Sequence, residues 1–134
     1  MQPIKLPIKE FTTQNPITVT EDTAIDELMM LMEGAKVRHL PVVGENTVVG
    51  IISDRDLRLF AGLSDAEKYQ VCAGDMMSPS PLTVSSNTPL AEVAFIMAEK
   101  KVGSVIVVED NQLYGIFTAT DALKALVEVI SKAD

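Results

Sequence analysis

The chain is written twice. Aligned without a gap, the second copy follows the first at an offset of 65 positions, so Asn15-Pro16-Ile17-Thr18-Val19 returns as Ser80-Pro81-Leu82-Thr83-Val84 and Thr23-Ala24-Ile25-Asp26-Glu27-Leu28 as Thr88-Pro89-Leu90-Ala91-Glu92-Val93. Met32 meets Met97, Lys36-Val37 meets Lys101-Val102, Val42-Val43 meets Val107-Val108, Asn46 meets Asn111, Gly50-Ile51 meets Gly115-Ile116, and Asp56 meets Asp121. The period is longer than solenoid repeats usually run, and two copies make no array. The expected architecture is therefore a duplicated half-domain folded about a pseudo-two-fold axis, with two matching sites.

Both copies read as the same order of elements. In the first, Ile17–Val19 is a short extended piece after a proline, and Thr23 with Asp26 three positions on predicts a capped helix start. Ile25, Leu28, Met29 and Met32 recur on one helical face, and Gly34 is the expected stop. His39-Leu40-Pro41-Val42-Val43 and Thr47-Val48-Val49-Gly50-Ile51-Ile52 then read as strands joined through Gly44-Glu45-Asn46, with a second helix from near Asp54. The second copy repeats this with Thr88 as cap, Pro89 at the first helical position, and Leu90, Val93, Ala94 and Met97 as the buried face. Strands at 104–108 and 113–117 follow, then a last helix from about Thr120 to Lys132 with Ala122, Ala125, Leu126 and Val129 on one side. The polar stretch from Gly62 to Gly74 predicts a short helix or ordered linker. The reading thus divides the chain into an N-terminal arm (1–12), repeat one (13–63), a linker (64–74) and repeat two (75–134).

With 134 residues, 47% of them hydrophobic, the chain suits one compact domain. A formal charge of -8 disfavours a backbone-dominated nucleic-acid binder, whose phosphate contacts need a basic face. A local basic patch can still hold one small anion. Cys72 is the single cysteine, so no intrachain disulfide forms, and Met1-Gln2-Pro3-Ile4-Lys5 lacks the apolar run of a signal peptide. A cytoplasmic address is the expectation, with no membrane span, since no stretch approaches about 18 uninterrupted apolar residues.

Chemistry concentrates where the last strand of each copy meets its last helix. Gly50-Ile51-Ile52-Ser53-Asp54-Arg55-Asp56 and Gly115-Ile116-Phe117-Thr118-Ala119-Thr120-Asp121 both hold a hydroxyl, two intervening residues and a carboxylate. A helix starting there offers unpaired N–H groups to an anion, and its first-turn carboxylate can accept hydrogen bonds from two vicinal hydroxyls, as a ribose requires. The same pattern also serves as a plain helix cap, with Ser53 and Thr118 as cap residues and the aspartates as favourable first-turn charges. The residues alone leave both readings open.

These motifs, together with Val37-Arg38-His39-Leu40-Pro41-Val42-Val43 and Asp75-Met76-Met77, resemble a tandem pair of cystathionine-β-synthase (CBS) domains, a Bateman module, from about Thr13 to Ser131. The resemblance implies an α/β (α+β) fold: two β-α-β-β-α repeats in one compact module, with clefts between the copies that bind adenosine ligands such as AMP, ADP, ATP or S-adenosylmethionine. No other cofactor and no metal is implied. On this resemblance Asp56 and Asp121 hold ribose hydroxyls, Ser53 and Thr118 contact ribose or phosphate, and Ile17, Thr18, Val19 with Leu82, Thr83, Val84 present backbone groups to adenine. Arg38, His39 and Pro41 in one copy, and Gly103, Ser104 and Ile106 in the other, line the clefts.

The copies differ in charge. Arg38, His39, Arg55 and Arg58 surround the first junction, where the second has Gly103, Ser104, Thr120 and Leu123. Phosphate is therefore expected at the first, by guanidinium contact, unless Arg55 and Arg58 are simply solvated or paired with Asp54. The second cleft is expected to be empty, to take a less charged adenosine derivative, or to share Arg38 and His39. An enzyme finds little support: one histidine and one cysteine lie far apart, without a metal-ligand cluster, phosphate loop or nucleophile elbow. The leading expectation is a regulatory sensor acting on a separate downstream protein. Its alternative is a ligand-free dimerisation adaptor. A homodimer fits both, because Met29, Met30 and Leu31, with Phe95 and Ile96, exceed what one core face needs.

Overall fold

A computed structural model describes residues 6–132, so the reading of Met1–Lys5 lies outside it. A 3-10 turn at Ile8–Phe11 precedes β1 (Thr13–Gln14), α1 (Ile25–Ala35), β2 (His39–Gly44), β3 (Thr47–Ser53) and α2 (Asp54–Leu59). Two short helices follow, α3 (Asp65–Lys68) and α4 (Ala73–Met76), before β4 (Ser78–Pro79), β5 (Thr83–Ser85) and α5 (Leu90–Lys100). β6 (Ser104–Glu109), β7 (Gln112–Thr118) and α6 (Ala119–Lys132) complete the chain.

The fold is mixed α/β in two compact units, and their boundaries cut across the sequence copies. One unit is Pro16–Pro81, and the other joins residues 6–15 to 82–132. The reason is pairing at the sheet edges. β1 runs antiparallel to β7 (Thr13↔Ile116), and β4 runs antiparallel to β3 (Ser78↔Ile51), so the segment leading into each copy completes the sheet of the other. The four-stranded sheet has the order β1-β7-β6-β5, and the three-stranded sheet the order β2-β3-β4. A single parallel bridge, Val19↔Val42, stands where β5 pairs with β6.

Each unit has its own core. Val19, Ile25, Leu28, Met32, Leu40, Val42 and Ile52 build one, closed by Ala73 and Met76 of α4. Val93, Met97, Val105, Val107 and Phe117 build the other, closed by Ile8 from the N-terminal turn. Ile8 and Ala73 are repeat partners, and both are fully buried. Their N–H groups also dock alike, on the carbonyls of Thr88 (2.7 Å) and Thr23 (2.9 Å).

The same duplication governs the turns. Among the described residues, all eight non-glycine positions with positive φ fall into pairs 65 apart: Asn15 and Ser80, Lys36 and Lys101, Glu45 and Asp110, Asn46 and Asn111. Glu45-Asn46 and Asp110-Asn111 each put two such residues in a two-residue hairpin loop, the type I′ arrangement that matches strand twist. Gly44 thus ends β2 rather than forming the turn.

Several local expectations give way. Thr23 does not cap α1: its hydroxyl accepts the Thr20 N–H (3.1 Å) within a turn, and Ala24 precedes the helix without a side-chain cap. Likewise Thr88 is not the cap of α5, and Pro89 is the N-cap rather than the first helical residue. Turns at Thr20–Thr23 and Ser85–Thr88 hold both threonines, and their carbonyls go to the docked segments, so each helix starts later. Gly34 does not stop α1. The chain runs on to Lys36, left-handed at φ 55, with Val37 donating to the Met32 carbonyl (3.1 Å), and Lys101 ends α5 in the same way. Ala94 is exposed rather than buried, because the buried stripe of α5 is narrower than its apolar one; Met29 and Leu126 are exposed as well.

Candidate ligand site at the strand-to-helix junctions

Each junction is built by a strand running straight into a helix. Ser53 ends β3 in extended conformation and its hydroxyl accepts the Asp56 N–H (3.2 Å), while the Ser53 N–H donates to Asp56 Oδ2 (2.8 Å). The other junction repeats this: Thr118 Oγ1 accepts the Asp121 N–H (3.3 Å), and the Thr118 N–H donates to Asp121 Oδ2 (2.9 Å). These are reciprocal capping boxes, which tie up two helix-start donors each. The capping function is thus present at both sites, and binding has to use what it leaves over.

What it leaves over differs. Oδ1 of Asp56 accepts no hydrogen bond among the described residues, and the half-buried carboxylate can receive a further donor there. At Asp121, the Thr118 hydroxyl adds a bond to Oδ2 (3.1 Å) and the Thr13 hydroxyl reaches Oδ1 (3.4 Å). Thr13 was not among the expected site residues. The signal was available in the repeat register, which places a hydroxyl residue, Ser78, at the matching position of the other copy.

The loops before β2 and β6 are pinned beside the junctions by one backbone bond each. The Asp54 N–H donates to the Arg38 carbonyl (2.8 Å), and the Ala119 N–H to the Gly103 carbonyl (2.9 Å). His39 then pairs with Ser53, and Ser104 with Thr118, across antiparallel strands. So Arg38, His39, Ser53 and Asp56 are brought together in one unit, and Gly103, Ser104, Thr118 and Asp121 in the other. Pro41 and Ile106 lie two residues further along their strands and are fully buried.

The basic residues separate. Arg38 and Arg55 are exposed, and Arg55 forms no ion pair among the described residues. Arg58 reaches back one turn to Asp54 at 4.0 Å, both side chains well exposed, a weak surface pair. Thr120 is exposed on α6. Of the extended pieces, Val19 is committed to β2, its N–H on the Pro41 carbonyl (3.0 Å) and its carbonyl accepting from Val43 (2.8 Å). Ile17 and Thr18 are exposed. In the other unit the Leu82 carbonyl accepts the Ile106 N–H (2.8 Å), and Thr83 and Val84 lie in β5.

A comparison with protein-family models matches the CBS domain twice, over residues 8–61 and 73–128. The chain belongs to the CBS domain family. It is a tandem pair, and the second match ends inside α6. This CBS pair is 29% identical over 144 residues to the chloroplastic CBS domain-containing protein CBSX2 of Arabidopsis thaliana, covering 87% of the chain but 60% of that relative. A CBS domain-containing protein of Dictyostelium discoideum is 27% identical over 138 residues, 95% of each sequence. Among solved structures, CBSX2 from Arabidopsis thaliana superposes with a TM-score of 0.82 at 30% identity, covering 97% of this chain and 100% of that one. The crystal structure of CBSX2 in complex with AMP gives 0.77 at 31% identity, covering 92% and 98%. Among the described residues no helix of the CBS pair is long and apolar enough to cross a membrane.

Proposed function

We propose that this CBS pair is a regulatory module that binds adenosine nucleotides of the AMP, ADP and ATP class at its strand-to-helix junctions and signals occupancy to a partner protein. The reading rests above all on the hydroxyl-x-x-carboxylate junction. At Asp56 it leaves one carboxylate oxygen without a donor, beside a serine hydroxyl that can turn to donate or accept. A vicinal diol supplies the donors such a carboxylate lacks, and hydrogen bonds to an ionised acceptor are the stronger kind. Exposed Arg38 and Arg55 supply the charge a phosphate needs. The AMP complex of CBSX2, at 31% identity, supports carrying adenosine binding to this chain.

Calorimetric titration with AMP, ADP, ATP and S-adenosylmethionine tests the reading. Asp56→Ala is expected to weaken the preferred ligand about 10- to 100-fold, the loss of hydrogen bonds to a charged group. Silence from all four ligands, with an unchanged melting temperature, would discard it.

A ligand-free dimerising adaptor is the second reading, and one observation favours it. Leu123, Leu126, Val127 and Ile130 form a helical stripe on α6 that is 65%, 54%, 65% and 61% exposed. Such a stripe suits burial against another surface, a second copy being the simplest. Light scattering should find a dimer at micromolar concentration and a monomer for Val127→Glu.

A further inference from the structure

The junction carboxylates differ in what reaches them from the preceding segment. Oδ2 of Asp121 is occupied by the Thr118 N–H and hydroxyl, and Oδ1 accepts the hydroxyl of Thr13, 108 residues away in sequence. Ser78 occupies the matching position beside β3, yet Asp56 accepts only from Ser53 among the described residues. The oxygen that a vicinal diol would need is therefore open in one unit and has the protein's own hydroxyl 3.4 Å away, in a long exposed bond, in the other.

The segment carrying Thr13 is firmly fixed at one end and weakly at the other. Upstream, Ile8 is fully buried, its N–H bonds to the Thr88 carbonyl at 2.7 Å, and the Leu90 N–H bonds to the Leu6 carbonyl at 2.7 Å. Downstream, β1 is two residues long, both exposed; it is held by the exposed Gln14 amide on the Tyr114 hydroxyl and by an Asn15 N–H to Tyr114 carbonyl bond stretched to 3.4 Å. Few buried contacts and exposed backbone bonds are what allow a segment to open locally.

We propose that Thr13 is a latch: a ligand diol at Asp121 displaces its hydroxyl from Oδ1 and frees residues 12–15 from β7, so that occupancy of this junction is reported through the N-terminal segment. The inference rests on the adenosine reading and adds the means of signalling. It also makes the Asp56 junction the tighter of the two, since no protein hydroxyl competes there. Coupling of this kind is reciprocal: if the ligand expels Thr13, removing the Thr13 hydroxyl must tighten the ligand.

AMP serves as the probe. In an Asp56→Ala background, where Asp121 is the remaining junction carboxylate, Thr13→Val keeps the β-branched shape and removes the hydroxyl. It should tighten AMP about two- to five-fold, the worth of one exposed hydrogen bond. Amide exchange at residues 12–15 should rise when AMP saturates the otherwise unaltered chain. It should already be raised without AMP in Thr13→Val, with residues 8–11 unchanged. Equal or weaker AMP binding in Thr13→Val, or exchange at 12–15 that responds to neither AMP nor the substitution, overturns the latch while leaving adenosine binding intact. Absence of AMP binding to the unsubstituted chain defeats both readings together.

Discussion

Two short segments stand in corresponding places in the two units, and they do the same job with different chemistry. Ile8–Phe11 closes one core and Ala73–Met76 the other, yet the first is a 3-10 turn led by a bulky isoleucine and the second an α-helical turn led by alanine. Cys72 donates its N–H to Asp75 Oδ2 at 3.0 Å and starts a helix; its repeat partner is Pro7, which has no N–H to give. The N-terminal segment compensates with side chains. Lys9 lies 3.8 Å from Glu109, whose carboxylate also accepts from the buried Ser86 hydroxyl at 3.0 Å, and Glu109 and Ser86 are replaced by Gly44 and Glu21 in the other copy. Duplicated sequence thus preserves the docking site, while the docked piece is free to diverge as long as it fills the same hole.

The largest test of that equivalence is the plug itself. Ile8→Ala should cost about 2–5 kcal/mol, the usual range for emptying a fully buried aliphatic site, read by chemical denaturation. A cost near zero would mean that the N-terminal segment is not part of the core. Next come the two glycines under the docked strands. A Cβ at Gly115 would sit 2.3 Å from the Thr13 carbonyl oxygen, whereas one at Gly50 would meet the Met77 side chain, with Sδ at 2.3 Å. Room at Gly115 is made only by lifting β1 off β7, whereas a thioether swings aside, so Gly115→Ala should cost about 1–3 kcal/mol and Gly50→Ala measurably less. Equal costs would argue against this difference in crossing.

Where the copies agree in backbone, substitutions should have equal effects. Lys36 and Lys101 end their helices at φ 55 and 56. Lys36→Gly and Lys101→Gly should each stabilise by about 0.5–1 kcal/mol in thermal melts, by relieving left-handed strain. Unequal gains would reveal a role for one lysine side chain. The smallest effect is a difference in acid. The Cys72 N–H, and then its thiol, hold the Asp75 carboxyl below the ordinary aspartate range. A lowered folded-state value means a stabilising cap above the ordinary range that is lost as pH falls through the folded value. Exchange at residues 73–76 should therefore rise in strong acid, with no matching Cys72–Asp75-type step at residues 8–11. A midpoint for Asp75 at or above the ordinary value would remove the bond.

Much of this was legible in the residues. The strands at 39–44 and 104–109, their hairpin partners, and the long terminal helix follow from β-branched alternation and helical spacing. The hydroxyl and aspartate at each junction fall where the local pattern puts them, because a reciprocal cap needs only a span of four residues. The helices start later than Thr23 and Thr88, since local turns hold both threonines and their carbonyls go to segments far away in the chain. Leu126 shares a helical face with Ala125, yet of α6 only Ala125 is fully buried and Leu126 is 54% exposed.

The sequence by itself determined that there are two copies with the same order of elements, two matched junctions, and a family to which the chain belongs. Repetition and local spacing are properties of neighbours along the chain, and they survive being read in one dimension. Only the tertiary structure decided that the segment leading into each copy completes the sheet of the other, because pairing between strands far apart in the chain, Thr13 with Ile116 and Ser78 with Ile51, is set by which edge is open and which side chain fills the core. It also decided that Thr13, and not Ser78, reaches a junction carboxylate, a difference between two hydroxyls that the repeat register makes equivalent.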